Sequence, residues 1–135
     1  MGEVDAYLAG LFDGEGWVSV SYNTKQNFYW LQVGIKMVNQ EVIEYVNSIY
    51  PGKIYVESPD NPEWLDTYKW MVNGAKAKPF IEAILPYSKV KAIPLQLALQ
   101  FIETISSHAP KKLSPEVNLN RAQIRDQLMS YNKVN

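Results

Sequence analysis

The sequence predicts an α+β fold: a four-stranded antiparallel sheet with helices on one face, plus further helices toward the C-terminus. Three observations predict it. Apolar residues keep helical spacing up to Phe12 and then alternate strictly from Trp17 onward. Two pairs of alternating runs, each joined by a short polar stretch, read as antiparallel hairpins. Between and after them lie segments with recognisable helix starts and stops. The order α-β-β-α-β-β-α-α-α favours a layer of helices against one sheet. All 135 residues are expected to form one domain, with a core over about 4–105 and a helical extension over about 106–135.

Each element has its own warrant. Leu8, Ala9, Leu11 and Phe12 share a helical stripe over residues 4–13. The next run alternates Trp17, Ser19, Ser21 and Asn23 against Val18, Val20 and Tyr22. Its partner alternates Phe28, Trp30, Gln32, Gly34 and Lys36 against Tyr29, Leu31, Val33 and Ile35, with a turn near 23–27. Asn39 reads as an N-cap, followed by Val42, Ile43, Val46 and Ile49 at helical spacing and a stop at Pro51-Gly52. Residues 53–58 are a strand, and the following SPDNP is a loop. Residues 66–73 alternate Tyr68, Trp70 and Val72 against Thr67, Lys69 and Met71. A helix is expected over 75–85, ended by Pro86, and another over 94–105 with Pro94 in its first turn. Ser114, as cap, opens a last helix to about Tyr131.

Each strand has one apolar side. The other is mixed and carries large aromatics, Trp17, Trp30 and Tyr55, among Ser, Asn, Gln, Lys and Thr. A solvated sheet face usually shows short polar residues. Aromatics among polar groups point to a binding face, although cross-strand pairing on an ordinary sheet also accounts for them.

Composition removes several chemistries. Hydrophobic residues at 47% and charged residues at 20% are those of a globular chain. No apolar run reaches the ~18–20 residues of a membrane span. The opening MGEVDAY is acidic and carries no signal or transit pattern, so an intracellular setting is expected. There is no cysteine, hence no disulfide and no thiolate zinc site. The single histidine, His108, argues against a Ser-His-Asp triad. Chemistry must run on carboxylates and lysines, with or without a hard cation. The net charge of −1 argues mildly against a nucleic-acid binder. Its distribution is uneven: lysines concentrate over 69–91 and acids around 57–66.

The stretch YLAGLFDGEG, residues 7–16, raises a specific question. Asp13 and Glu15 stand where a helix gives way to a strand, at the pole carrying partial negative charge. An exposed acid there is disfavoured by roughly 0.3–1 kcal/mol. On the residues alone, three uses stay open: solvating the helix end, acid/base chemistry, or binding a divalent cation, for which oxygen-only ligands favour magnesium or calcium. Gly10, inside the helix, costs about 1 kcal/mol against alanine. Close approach of a second helix, including one from a second copy of the chain, would offset that.

LAGLFDGEG, residues 8–16, resembles the nine-residue signature of the LAGLIDADG homing endonucleases. The αββαββα order over about 4–105 is similar as well. The chain carries one motif, which resembles the group that acts as homodimers.

The resemblance implies a site-specific double-strand DNA endonuclease. Its target would be long and roughly palindromic, cut by metal-dependent hydrolysis with short 3′ overhangs. Tyr7, Gly10, Leu11, Asp13 and Gly14 would form the dimer contact. Glu15, with the Gly14 carbonyl, would bind the catalytic ions. The implied metal is Mg2+, with Ca2+ or Mn2+ able to substitute. Lys91, on the run PYSKVK, is the preferred basic catalytic residue, and Lys36 or Met37 would fill the polar position ending the second strand. The sheet would be a saddle in the major groove. Trp17, Ser19, Ser21, Asn23, Lys25, Trp30, Gln32 and Lys36 of the first hairpin would face DNA there. Lys53, Tyr55, Glu57, Thr67 and Lys69 of the second hairpin, with Lys89, would join them. The expected partners are double-stranded DNA and a second copy, with intron RNA as a further candidate. No membrane and no small-molecule cofactor are implied. The alternative is a non-cutting nucleic-acid binder on the same fold, an RNA maturase or a transcription regulator.

Overall fold

The computed structural model describes residues 2–105 and 115–134. The chain runs α1 (Gly2–Glu15), β1 (Gly16–Asn23), β2 (Phe28–Met37), α2 (Gln40–Ile49), β3 (Lys53–Glu57), β4 (Thr67–Asn73), α3 (Lys78–Ile84), α4 (Ala92–Glu103) and α5 (Pro115–Val134). His108 and the proposed cap Ser114 lie outside the described residues.

The four strands form one antiparallel sheet in the order β1-β2-β4-β3, so the two hairpins meet at β2 and β4. The side chains follow the alternation of the sequence. Val18, Val20, Leu31, Val33, Ile35, Trp70 and Val72 are buried, all on one face. The helices cover that face with Leu8, Phe12, Ile43, Val46, Phe80, Ile81, Leu95 and Phe101. Burying each such side chain contributes about 1.5–3 kcal/mol. Trp70 is fully buried; its ring meets Phe80 edge-to-face at 4.8 Å, and its Nε1 donates to the Tyr50 carbonyl at 2.9 Å. A buried indole N–H left unpaired would be costly, so this bond fixes where α2 ends against the sheet.

Helix boundaries carry the physics of their caps. Asn39 accepts the Val42 amide at 3.0 Å on its side-chain oxygen, as an N-cap should. The Tyr50 hydroxyl donates to Asp5 at 2.9 Å and ties the end of α2 to the start of α1. Burial and the Asp5 carboxylate push that phenol up to about 12.

One expected element is corrected. Residues 75–85 do not form one α-helix: a 3-10 turn at Gly74–Ala77 precedes α3, and another at Leu85–Tyr87 follows it. Pro79 has no N–H to donate to the Ala75 carbonyl, so regular α-helix cannot run through that turn. The Lys78 amide takes Ala75 instead, in 3-10 fashion.

The last helix belongs to the same core. Ile124 and Leu128 pack into it. Arg121, 3% exposed, donates to the Thr104 hydroxyl at 2.8 Å and carbonyl at 3.2 Å, and its guanidinium lies 4.9 Å from the Phe101 ring centroid. Among the described residues, no helix is long and apolar enough to cross a membrane.

Candidate functional site

The α1–β1 junction is unusually abrupt. Helix α1 continues to Glu15 and strand β1 begins at the next residue. A Cβ on Gly16 would sit 2.2 Å from the Phe12 ring, so only glycine lets the chain pass under that buried ring. This explains one glycine of the D-G-E-G run, and it sets the two acids on opposite sides of the helix end.

Asp13 turns inward. Its carboxylate accepts the Ser88 hydroxyl at 2.6 Å and the amides of Lys89 at 2.8 Å, Val90 at 3.2 Å and Lys91 at 3.2 Å. Burial alone would raise this carboxyl, but the bonds from Ser88 and the three amides outweigh it and hold it below its ordinary range. Ser88 also accepts the Lys91 amide at 3.2 Å, so hydroxyl and carboxylate together organise the turn that opens α4.

Lys91 turns back toward the junction. Its ammonium donates to the Gly16 carbonyl and lies 5.7 Å from the Phe12 ring centroid. Burial lowers its pKa, while the carboxylates of Asp13 and Glu15 act in the opposite direction. A half-buried lysine perturbed by burial and by two carboxylates makes Lys91 a candidate functional residue.

Glu15 turns outward. It is exposed and, among the described residues, has no hydrogen-bond or ion-pair partner. Gly14 beside it is exposed too, and the carbonyls of a helix's last turn lack intrahelical donors. A carboxylate and a peptide oxygen suit a hard divalent cation. They amount to part of a coordination shell only: no three of His, Asp and Glu cluster among the described residues. A magnesium ion therefore fits if further oxygens come from a second chain or a phosphate.

The polar face of the sheet carries the other candidates. Cross-strand register sets Ser19 opposite Gln32, Ser21 opposite Trp30, Lys36 opposite Lys69 and Lys69 opposite Tyr55. Trp17, Asn23, Lys53, Glu57 and Thr67 share that face by alternation, which makes it continuous across all four strands. The Trp17 indole packs against Gly34, where a Cβ would meet it at 2.4 Å. Lys25 is exposed in the turn between β1 and β2, and Lys89 is exposed in the 88–91 loop. Lys36 is engaged by Glu57 at 2.6 Å rather than by Glu15, and Lys69 reaches the same carboxylate at 3.5 Å. The bond from Lys36 and the two lysine charges hold the Glu57 carboxyl below its ordinary value. Met37 lies on the opposite face, partly buried against the core, which leaves Lys36 as the polar residue at that end of β2.

The outer face of α1 is open. Tyr7 is 50% exposed, and Cβ atoms on Gly10 or Gly14 would meet nothing within 4 Å. Leu11 is half-buried against the core. Nothing among the described residues requires glycine at Gly10 or Gly14.

Two contributors escaped the sequence reading, Ser88 and Tyr131. Ser88 had a signal, a hydroxyl residue three positions before Lys91, the residue that precedes α4. Tyr131, which donates to the Val90 carbonyl at 2.6 Å, had none.

A four-stranded sheet with an open polar face, backed by helices and led by a helix ending in Gly14-Glu15, is the LAGLIDADG homing-endonuclease fold. Solved structures bear this out. The chain is similar to the homing endonuclease I-CvuI, crystallised with its target in the presence of calcium, at TM-score 0.78 and 17% identity, covering 96% of this chain and 82% of that one. It is similar to the archaeal intron-encoded homing endonuclease I-Vdi141I, complexed with DNA, at TM-score 0.78 and 18% identity, over 96% and 84% of the two chains. The LAGLIDADG meganuclease I-AabMI, bound to uncleaved DNA, matches at TM-score 0.72 and 15% identity, over 92% of this chain but 44% of its own. No family model matches the sequence, and no curated protein does.

Proposed function

We propose that this chain is a site-specific double-strand DNA endonuclease that works as a homodimer and needs a divalent cation, magnesium by preference. The observation that carries the reading is Glu15: an exposed carboxylate at the end of the motif helix, without a hydrogen-bond or ion-pair partner among the described residues, and its charge acts on the half-buried Lys91. DNA complexes of proteins with this fold add support.

In this reading the polar sheet face docks in the major groove. Side chains such as Gln32, Asn23 and Lys53 have the donors and acceptors to contact base edges and phosphates there. Glu15 and the Gly14 carbonyl would supply this chain's ligands to the cation. When bound, such a cation lowers the pKa of a coordinated water and stabilises charge on the leaving oxygen. Lys91, kept desolvated over Phe12, offers a fixed positive charge to the phosphorane. Asp13 serves the architecture, because both its oxygens are committed to the 88–91 turn. No protein nucleophile is needed, in keeping with a chain that lacks cysteine.

The homodimer has its own support. Gly10 and Gly14 leave a strip of α1 that nothing among the described residues covers. A second α1 packed there would bring the two Glu15 residues close to a two-fold axis. That would supply the missing oxygens and impose a roughly palindromic target.

Selection of cleaved sites from a randomised, partly palindromic DNA library, with magnesium and calcium in parallel, tests the reading. Sites with staggered 3′ ends, recovered with magnesium, support it. DNA retained but never cut would replace it with a binding-only protein, a regulator or an RNA maturase. No retention at all would refute both.

A further inference from the structure

Lys91 sits on a loop that has little apolar anchorage. Lys89 and Val90 are exposed, and only Ser88 and Lys91 are half-buried. Polar ties must therefore hold it. From inside, the Asp13 carboxylate takes its amides and the Ser88 hydroxyl. From outside, the Val90 carbonyl takes the Tyr131 hydroxyl at 2.6 Å. Tyr131 can exert this hold because α5 is itself anchored: by buried Ile124 and Leu128, by Arg121 on Thr104, and by Arg125, whose Nε donates to the Val20 carbonyl at 3.2 Å. Tyr131 also closes a pocket of about 140 Å³, whose other walls include Lys91, Gly16, Val90 and Pro94. Without that wall the lysine stem would gain room to move away from the Gly16 carbonyl.

We propose that Tyr131 is a positioning residue for Lys91, holding the 88–91 loop from the outside as Asp13 holds it from within. The proposal rests on the endonuclease reading above. It makes the last helix part of the cutting machinery, although α5 contributes nothing to the motif. Geometry at a reacting centre is steep: a displacement of about 1 Å can cost around a hundred-fold in rate. Losing one of several ties should shift Lys91 by less than that.

The test compares wild type with Tyr131→Phe, which keeps the ring and removes the hydroxyl. Single-turnover cleavage is measured with magnesium, DNA affinity with calcium, and amide hydrogen exchange on the dimer without DNA. The expected result is cleavage slowed about ten-fold with affinity unchanged, and faster exchange at Lys89–Lys91 while core strand amides such as Val33 stay protected. Wild-type cleavage by Tyr131→Phe would overturn the proposal. So would rate and affinity falling together, because Tyr131 would then act on DNA binding or on the whole fold. If wild type cuts no DNA, the endonuclease reading fails, and exchange at Lys91 decides the positioning by itself: unchanged protection in Tyr131→Phe would overturn it.

Discussion

The carboxylate of Asp13 accepts the backbone amide of Lys91 at 3.2 Å, although the two residues stand 78 positions apart. One acid of the motif thus aims the loop carrying the lysine, while the other, Glu15, is left exposed. The apparent electrostatic fault, two acids at the negative pole of a helix, resolves differently for each. Asp13 is compensated by the amides of the 88–91 loop that leads into α4. Glu15 is the acid that a bound cation would compensate.

Glu15→Gln should abolish cleavage and leave specific DNA affinity nearly intact. Glutamine keeps the shape and loses the ligand charge. Gel-shift titration beside a cleavage assay checks it, and cutting at the wild-type rate would remove Glu15 from the metal assignment.

Gly10→Leu should yield monomers. A Cβ there meets nothing within its own chain, so the monomer should keep its thermal stability or gain some from better helix propensity. Light scattering with a thermal melt separates the two effects. A dimer that persists would refute the α1 interface.

Asp13→Asn should lower stability by about 1.5–3 kcal/mol, the range for hydrogen bonds to a charged group. Because folding holds this carboxyl below its ordinary value of 3.8, its contribution is fully present above that pH and fades as pH falls through the lowered value. In metal-free urea titrations, the gap between wild type and variant should be constant above pH 3.8 and narrow below it. A gap that widens in acid would contradict the sign.

Glu57→Gln should strengthen binding to arbitrary DNA and make it more sensitive to salt. Lys36 at 2.6 Å and Lys69 at 3.5 Å lose the carboxylate that neutralises them and become available to phosphates. The log–log salt slope should steepen by about one to two per protomer. An unchanged slope would mean that these lysines do not meet the DNA backbone.

Much of the fold was legible because it rests on local pattern. Alternation assigned the inner and outer faces of β1, β2 and β4, since a period of two leaves no other register once one side must be buried. The Asn39 cap and the Pro51-Gly52 stop bounded α2 for equally local reasons. The 75–85 segment was misread where Pro79 removes one amide, a local effect that apolar periodicity hides. The edge strand β3 carried a weaker signal, with both faces exposed along its length.

By itself, the sequence determined the α+β class, the element order, the polar face of the sheet and the motif that carries Glu15. All of these follow from neighbours within a few residues, whose spacing and side-chain chemistry act before the chain closes. Only the tertiary structure decided that Asp13 would face inward and Glu15 outward. It alone paired Lys36 with Glu57, set Ser88 on Asp13 and brought Tyr131 to the loop of Lys91. Those contacts join residues separated by 21 to 78 positions, and their geometry depends on how the helices pack over the sheet, which no local pattern encodes.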